Sequence, residues 1–339
     1  MNLLLLLLFA FILSLCLTAV LRRYALSKNI IDVPNSRSSH STPTPRGGGL
    51  AIVLTFLFGC PFLAFYDLIS TAVALALAVA AGGVALIGFL DDHGHIAARW
   101  RLLGHFSAAA ICVFTLGGLP PLFFFGIQIN LGLIGAFGAL LYLVWMLNLY
   151  NFMDGIDGLA SIEAVCACCS AAIILWLLGY HNLIWPLLLL SAAVSGFLYW
   201  NLPPARIFMG DAGSGFLGLV LGFFSLMSAW NDSILLWVWL ILLGVFIVDA
   251  TLTLVIRFLK GQKVYEAHRS HAYQFAARYF QSHRVVTLSV LCINIFWLFP
   301  LAICVALFGL DGLTGLLVAY APLFVIALKF GAGQAELKH

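Results

Sequence analysis

Long apolar runs separated by short polar segments dominate the chain. Eleven of these runs approach the roughly 20 residues that a helix needs to cross a bilayer. They cover residues 3–21, 49–66, 70–90, 103–119, 131–149, 161–179, 183–200, 213–229, 234–256, 286–308 and 312–328. The pattern predicts an all-α, polytopic integral membrane protein with about eleven transmembrane helices.

Composition supports this prediction and excludes other classes of protein. Of the 339 residues, 63% are hydrophobic and 9% are charged, whereas soluble domains have about 25% charged residues. A cytosolic globule, a disordered chain and a nucleic-acid binder with a charged face are therefore excluded. The net charge of +3 is too small to imply a polyanionic partner. All eight cysteines lie inside apolar runs, which favours buried thiols over disulfides or metal ligands.

The basic residues give the chain a predicted orientation. All sixteen Lys and Arg residues fall in alternate loops, and the positive-inside rule places those loops in the cytoplasm. The N-terminus is then outside and the C-terminus cytoplasmic, which requires an odd number of spans. The first run has no basic residues before it and ends in Arg22-Arg23, so we expect a retained span rather than a signal peptide.

The same inner loops contain nearly all of the other polar clusters. We expect one transmembrane domain over residues 1–339, with its chemistry in five cytoplasmic loops. These loops cover residues 22–48, 91–102, 150–160, 201–212 and 257–285.

Three groups of carboxylates stand out in these loops. Asp91 and Asp92 end the third run, where they are either solvated charges or partners of a cation. Asp154 and Asp157 are three residues apart, so one helical turn would present both on one face. Asp211 lies in a glycine-rich turn at the start of the eighth run. That position suits either a helix cap or a hard cation beside bound phosphate.

The longest inner loop contains a basic group. His268 and His271 flank Arg269 at a spacing of three residues, and they offer hydrogen-bond donors to phosphate or sugar oxygens. No set of His and Cys residues suits a zinc site, and the oxygen donors favour Mg²⁺ or Mn²⁺. Asp249 is open to two interpretations, a functional intramembrane acid or a structural partner of nearby Arg257.

The residues alone indicate metal-assisted chemistry on a phosphorylated substrate, with a lipid partner supplied by the bilayer. Five segments also resemble, in order, the motifs of the bacterial polyprenyl-phosphate N-acetylhexosamine-1-phosphate transferases, glycosyltransferase family 4. These segments are 43–49 (PTPRGGG), 88–92 (GFLDD), 148–160, 201–218 and 268–274. Residues 36–40 and 91–95 are most similar to the branch that initiates O-antigen synthesis, rather than to the peptidoglycan branch.

The resemblance implies transfer of a sugar 1-phosphate from a UDP-N-acetylamino sugar to undecaprenyl phosphate, with release of UMP. It places the reaction on the cytoplasmic face of the bacterial inner membrane, as the first membrane step of O-antigen synthesis. It implies catalytic roles for Asp91 and Asp92, and Mg²⁺ or Mn²⁺ ligation by Asp211 and Asp154. It assigns nucleotide and substrate binding to Asn148, Asn151, Asp157, Asn201, Arg46, Arg99, His268, Arg269 and His271.

Two features of the resemblance remain open. Asp91 either orients and deprotonates the lipid phosphate or acts as a covalent nucleophile. Direct attack is favoured, because a phosphate monoester with a second pKa near ~6 is already largely ionised at neutral pH. Many relatives have a lysine seven residues after the second aspartate, where this chain has Arg99. Charge is kept there, but the contact geometry changes to a planar fork.

Two other classes of protein, a transporter and a non-catalytic scaffold, fit the sequence less well than an enzyme. A transporter of an anionic solute would place its charges near the bilayer midplane, whereas these acids lie at helix ends on one side. A non-catalytic scaffold would leave the Asp and Gly clusters without a role. The expected partners are the bilayer, undecaprenyl phosphate, a UDP-N-acetylamino sugar and a second copy of the chain in a homodimer, but no nucleic acid.

Overall fold

The computed structural model describes residues 3–34, 42–94, 96–262 and 268–334. Its helices are α1 (Leu3–Ser27), α2 (Leu50–Phe65), α3 (Thr71–Ala76), α4 (Gly82–His93), α5 (Ala98–Leu116), α6 (Gly132–Met153), α7 (Leu159–Leu177), α8 (His181–Asn201), α9 (Asp211–Ala229), α10 (Ile234–Leu242), α11 (Gly244–Leu259), α12 (Ala272–Phe280), α13 (His283–Ile293), α14 (Phe299–Leu307) and α15 (Gly312–Lys329). A π-helical turn over Leu77–Ala81 joins α3 to α4, and another over Asn294–Leu298 joins α13 to α14.

The predicted all-α membrane architecture is confirmed. Each of the eleven predicted runs contains a helix, and within the described ranges eight continuous helices are long and apolar enough to cross a membrane. The pair α10 and α11 raises that number to nine, while α2 is a shorter apolar helix. The total of eleven spans stays a prediction. Two small antiparallel hairpins were not predicted, β1 (Ile31–Asp32) with β2 (Thr44–Pro45) and β3 (Leu122–Phe124) with β4 (Ile127–Ile129).

The predicted run 234–256 is not one straight helix. It breaks between α10 and α11 with a bend of 74°, and Leu243 at the break has a non-helical backbone. Gly244, the first residue of α11, packs so closely on α15 that a Cβ atom there would lie 3.0 Å from the Tyr320 ring. The bend directs α11 toward the loop that contains the basic group.

The loops predicted on opposite sides of the membrane lie at opposite ends of the helices. Those without Lys or Arg contact one another: the backbone N–H of Phe125 donates to Asp311 at 2.9 Å, and Trp230 Nε1 donates to the carbonyl of Gly118 at 3.2 Å. The loops with the acidic and basic clusters meet at the other end, as described below. The orientation of the two ends in the cell stays a prediction.

Helix α9 lies at the centre of the fold and is buried along its whole length. It packs antiparallel on α6 through small residues spaced by four, a pattern that lets membrane helices approach closely. Ser214 donates to Asn151 of α6 at 2.9 Å. One turn further along α9, a Cβ atom at Gly218 would lie 2.8 Å from the Cα atom of Leu147. The same register, continued toward the start of α9, brings Asp211 level with the end of α6.

Replacing Gly218 with alanine tests this packing. The added methyl group would overlap the α6 backbone, so we expect a loss of stability of about 1–3 kcal/mol from overpacking. Gly138→Ala in α6 is the matched control, because a Cβ atom there meets no atom within 4 Å and alanine is the better helix former. Thermal unfolding of the detergent-purified protein measures both variants. Equal unfolding temperatures would contradict the close approach of α6 and α9.

The orientation is testable with two exposed positions at opposite ends of the fold. Gln128 lies in the β3–β4 hairpin, and Ala98 begins α5. With the predicted orientation, a membrane-impermeant maleimide labels Gln128→Cys in intact cells and labels Ala98→Cys only after permeabilisation. The unsubstituted chain measures labelling of the native cysteines. The reverse pattern would overturn the predicted orientation.

Candidate active site

A network of arginine and aspartate side chains surrounds the first residue of α9. Asp211 pairs with Arg46, and Arg46 Nε also lies 2.9 Å from Asp92 Oδ1. Arg101 pairs with Asp91, and its Nη1 atom lies 3.6 Å from Asp211 Oδ2. These five residues are called the arginine–aspartate cluster below. They come from three predicted inner loops, and the cluster therefore joins segments that are up to 165 positions apart.

The backbone on both sides of Arg46 explains its position. The carbonyl of Pro45 accepts from the N–H of Phe208 at 2.8 Å, and the N–H of Gly48 donates to the carbonyl of Phe208 at 2.9 Å. These bonds fasten the segment before α2 to the segment before α9. Gly49 is required at this contact, because a Cβ atom there would lie 2.5 Å from the Cα atom of Gly213. Arg46 is thereby placed beside Asp211.

The two acids at the end of α4 have different surroundings. Asp91 accepts from the backbone N–H of Ile96 at 2.8 Å in addition to its pair with Arg101. The side chain of Asp92 is almost completely buried, with 1% of its surface exposed, and its Oδ2 atom has no hydrogen-bond donor among the described residues. Helix α4 approaches α9 at Gly88, where a Cβ atom would lie 2.5 Å from the backbone nitrogen of Ala212.

The end of α6 completes this side of the site. Asn151 donates to Asp211 Oδ2 at 3.5 Å, and Asp154 follows the last residue of the helix. Burial, partly opposed by Arg46 and reinforced by Asp211, Asp92 and Asp157, raises the pKa of Asp154 to about 7. At neutral pH its carboxyl group is therefore protonated in part of the molecules. A cation bound beside it would favour the ionised form.

The charge on Arg46 is strongly stabilised by this arrangement. Burial acts to lower the pKa of its guanidinium, but the carboxylates of Asp211, Asp92, Asp32 and Asp154 raise that pKa above its ordinary value. Arg46 is thus a permanent cation at a site rich in carboxylates.

The oxygen donors fit the predicted divalent cation. Among residues 3–34, 42–94, 96–262 and 268–334, no group of three or more His, Cys, Asp or Glu side chains is arranged to hold a metal ion. Mg²⁺ is commonly bound by one or two carboxylates together with substrate phosphates and water. Asp211 and Asp154 provide such carboxylates, and the orphaned Oδ2 of Asp92 is a further oxygen acceptor in the cluster.

The predicted binding residues Asn148 and Asn201 make contacts to the protein itself. Asn148 donates to the carbonyl of Val144 within α6 at 2.7 Å. Buried Asn201 accepts from the N–H of Gly158 and donates to the carbonyl of Ile207, both at 3.0 Å. Their predicted contacts with a nucleotide stay predictions, and the structure gives Asn201 the role of joining the loop after α6 to the segment before α9.

Asp157 also joins several elements. Its Oδ2 atom accepts from the N–H of Ala205 at 3.0 Å, and its Oδ1 atom lies 3.2 Å from His283 Nδ1. Its backbone carbonyl accepts from Thr287 of α13 at 2.9 Å. Asp154 and Asp157 therefore face different partners, although their spacing predicted one shared face, because the chain between them is a turn and not a helix.

The structure places Arg101, rather than the predicted Arg99, in the arginine–aspartate cluster. Arg99 is exposed and lies against the Trp100 ring, with its Cζ atom 5.7 Å from the ring centroid. Arg101 is seven residues before Ala108, one of the buried residues of α5, and a helix places such residues on nearly the same face. This spacing was the available sequence signal for Arg101, and the predicted substrate-binding role of Arg99 stays a prediction.

The two histidines of the basic group lie in a stack of rings that is separate from the arginine–aspartate cluster. Phe152, the residue after Asn151, stacks on His271 with ring centroids 6.1 Å apart, and His268 lies 4.9 Å from His271. Tyr273 donates its hydroxyl to the carbonyl of Phe152 at 2.9 Å. The last turn of α6 therefore contacts both this stack and the arginine–aspartate cluster.

The two histidines and Arg269 differ in environment. His271 is buried, whereas His268 and Arg269 are half-buried. Burial, followed by the effects of His271 and Arg257, lowers the pKa of His268 to about 3. His268 is therefore neutral at physiological pH, so the phosphate contact predicted for it would rest on a hydrogen bond and not on a positive charge.

The position of the stack depends on Asp249. Its two carboxylate oxygens accept from the backbone N–H groups of Ala272 and Tyr273, each at 2.9 Å. His271 Nδ1 lies 3.4 Å from the same carboxylate. Asp249 thus caps the start of α12, which is a structural role different from the predicted pair with Arg257. Asp249 also accepts from the hydroxyl of Thr253, one turn further along α11, at 3.1 Å.

Two polar cavities lie next to these residues. One of about 670 Å³ is lined by Arg46 and Asp92 of the cluster together with Lys28, Asp32 and His93. The other, of about 720 Å³, is lined by Asp157, Arg278, His283 and Arg284. Each cavity is bordered by side chains that can donate hydrogen bonds to an anion. The motif residues 36–40 and the histidine at position 95 lie outside the described residues.

The chain is similar in sequence to a known family of membrane transferases. The family model described as glycosyl transferase family 4 matches residues 73–229. The chain is 31% identical over 297 residues to a probable undecaprenyl-phosphate N-acetylglucosaminyl 1-phosphate transferase of Bacillus subtilis, covering 84% of this chain and 81% of the relative.

Two further relatives extend over most of the chain. A decaprenyl-phosphate N-acetylglucosaminephosphotransferase of Mycobacterium tuberculosis is 31% identical over 313 residues, covering 80% of this chain and 75% of the relative. A phospho-N-acetylmuramoyl-pentapeptide-transferase of Halalkalibacterium halodurans is 28% identical over 293 residues, covering 79% and 87%. The chain therefore belongs to glycosyl transferase family 4, within the superfamily of polyprenyl-phosphate hexosamine-1-phosphate transferases.

Proposed function

We propose that this protein transfers an N-acetylamino-sugar 1-phosphate from a UDP-sugar to undecaprenyl phosphate and releases UMP. The observation that carries the proposal is the arginine–aspartate cluster at the start of α9, where Arg46 and Arg101 can bind phosphate oxygens and three aspartates can receive a cation. The names of the relatives, which act on polyprenyl phosphates, support the same class of reaction.

In the proposed reaction, an oxygen of the lipid phosphate attacks the phosphorus that is attached to the sugar. The bond from this phosphorus to the oxygen shared with the uridine phosphate breaks, and UMP leaves with that bonding pair. Catalysis of such a transfer rests mainly on positioning and on stabilising charge. Arg46 and Arg101 contact carboxylates that phosphate oxygens can replace, because both guanidiniums are forks that bind either group.

We assign the lipid phosphate to the side of the cluster formed by Asp91 and Asp92. The cavity beside these acids is also lined by Lys28, which supplies a second cation near Arg46. Direct attack by the phosphate is preferred to a covalent aspartyl intermediate, since the phosphate is already largely ionised at neutral pH. In this route Asp91 orients the phosphate, and its pair with Arg101 holds the carboxylate in place.

We assign Mg²⁺, or Mn²⁺ in its place, to Asp211 and Asp154. When bound, the ion would neutralise the diphosphate of the donor. The residues around it have separate tasks: Asn151 and Ser214 orient Asp211, and the close contact of Gly88 with α9 keeps water from the buried side of the cluster.

The finer identity of the reaction is part of the same proposal. The motifs at 36–40 and 91–95 support the O-antigen-initiating branch, with the donor drawn from UDP-GlcNAc, UDP-FucNAc and UDP-QuiNAc. The predicted orientation places the site on the cytoplasmic face of the inner membrane. A transporter is less well supported, because the charged cluster lies at one end of α9 and the rest of that helix is apolar and buried.

Asp211→Asn tests the proposed role of the cluster. Removing one negative charge while keeping the shape of the side chain should lower the rate of UMP release by about 10³-fold at all Mg²⁺ concentrations. Asp232→Asn, the same change in a loop at the opposite end of the fold, is the control and should leave the rate near normal. UMP is measured with purified protein, undecaprenyl phosphate and the three UDP-sugars. Near-normal turnover by Asp211→Asn would refute the metal assignment.

A comparison of two neighbouring arginines tests the geometry of the site. Arg101→Gln removes the partner of Asp91, so we expect its kcat to fall by about 10²-fold or more. Arg99→Gln changes a side chain that lies on the exposed face of α5, and we expect less than about a threefold effect, corresponding to under ~1 kcal/mol. A larger loss in Arg99→Gln than in Arg101→Gln would favour the sequence-based assignment instead.

A further inference from the structure

A carboxylic acid outside the candidate active site is completely buried in the membrane-spanning part of the protein. Glu163 lies in the second turn of α7, and none of its surface is exposed. Among the residues that the structure describes, no Lys, Arg or His side chain forms an ion pair with it. An unpaired carboxylate in such a place would be strongly disfavoured, since neither water nor a cation compensates its charge.

The partner of Glu163 is an amide on another helix. Asn294 donates from Nδ2 to Glu163 Oε2 at 2.6 Å, and both side chains are buried. Asn294 is the first residue of the π-helical turn between α13 and α14, and such turns insert an extra residue that redirects side chains, frequently at functional positions. The turn therefore lies where the helix meets Glu163.

Hydrogen bonding around this pair is incomplete if Glu163 is ionised. Oε1 of Glu163 and Oδ1 of Asn294 are both buried, and neither has a hydrogen-bond donor in the described part of the chain. An ionised carboxylate has acceptors only, so it cannot donate a hydrogen bond to Oδ1 of Asn294. A protonated carboxyl group supplies one O–H donor together with an acceptor.

The other titratable groups that face Glu163 provide no positive charge. They are the hydroxyls of Tyr150 and Tyr320 and the thiol of Cys166. The backbone amide of Phe246, in the first turn of α11, also faces the carboxyl group. Tyr150 uses its hydroxyl to donate to the carbonyl of Ala160 at 2.7 Å. The surroundings therefore consist of neutral groups.

We propose that Glu163 is held as the neutral acid and forms a closed pair of hydrogen bonds with Asn294, which fixes the position of α13 on α7. In this pair the amide donates to Oε2, and the carboxyl O–H is the donor that Oδ1 of Asn294 otherwise lacks. Glu163 is thus a positioning residue whose proton is a permanent part of the structure.

The pair acts together with a second contact between the same helices. Thr287 of α13 donates to the carbonyl of Asp157, just before α7. Glu163 is six residues further along the chain, in the second turn of α7. Two separated contacts fix both the register and the angle of α13, and α13 begins at His283, which contacts Asp157 at the edge of a polar cavity. The inference does not depend on the proposed reaction.

Glu163→Gln is the decisive variant, because a carboxamide has the shape of the neutral acid and also offers a donor group beside an acceptor oxygen. We expect an unfolding temperature within about 1 °C of the parent protein and an unchanged pH profile of activity. Glu163→Leu leaves Asn294 without a partner and should lower the unfolding temperature by about 4 °C or more. Recovery of part of that loss in the Glu163→Leu, Asn294→Leu double variant is expected, since both polar groups are then absent.

Infrared spectroscopy of the folded parent protein tests the proton directly. The difference spectrum between the parent and Glu163→Gln should contain, at about pH 7, the carbonyl band of a protonated carboxyl group, whereas a glutamate in water is ionised at that pH. A carboxylate band in its place would overturn the proposal. A tenfold or greater loss of activity in a normally folded Glu163→Gln variant would also overturn it, because an ionised carboxylate would then be needed.

Discussion

The close packing of α6 on α9 is the constraint on which the candidate active site depends. The small residues of α9 allow the two backbones to touch at Gly218, and this contact fixes the register of the helices to a single solution. Within that register Asn151 meets Ser214, and the end of α6 lies beside Asp211. A shift of one helical turn would move the α6 residues by about 5 Å and would separate the oxygen donors. The chemistry at one end of the fold is therefore set by apolar packing deep inside it.

Charge balance in the cluster gives the site a particular response to ligands. Three aspartates share two arginines, and Asp92 and Asp211 compete for the same guanidinium. A phosphate that binds alone would pair with the arginines and leave the aspartates without a positive partner. A cation that binds alone would pair with the aspartates and leave the arginines without a negative partner. Both together satisfy all of the charges, so binding of one is expected to strengthen binding of the other. A complex of a divalent cation with a diphosphate meets this requirement in one step.

The sequence predicted the helices well, because a membrane-spanning helix requires a long apolar run, and such a run can be read from local composition. Asp211 and Asp91 were identified from their place beside glycines and at helix ends. The role of Asp249 was beyond reach, since its partners at 272 and 273 come together only through the bend before α11. The bend itself depends on packing of Gly244 against a helix far along the chain. The burial of Glu163 could not be predicted, because a single acid near the end of an apolar run looks the same in the sequence whether it is solvated or buried.

Complete burial of α9 also has a consequence for how the protein is made. This helix has the lowest mean hydropathy of the eight continuous candidate spans, so lipid alone is the poorest environment for it among them. Helices α2, α4 and α6, which receive it, precede it in the chain, and the surface that accommodates its glycines exists before α9 leaves the ribosome. The least lipid-compatible of these segments therefore emerges after the helices that accommodate its glycines have been made.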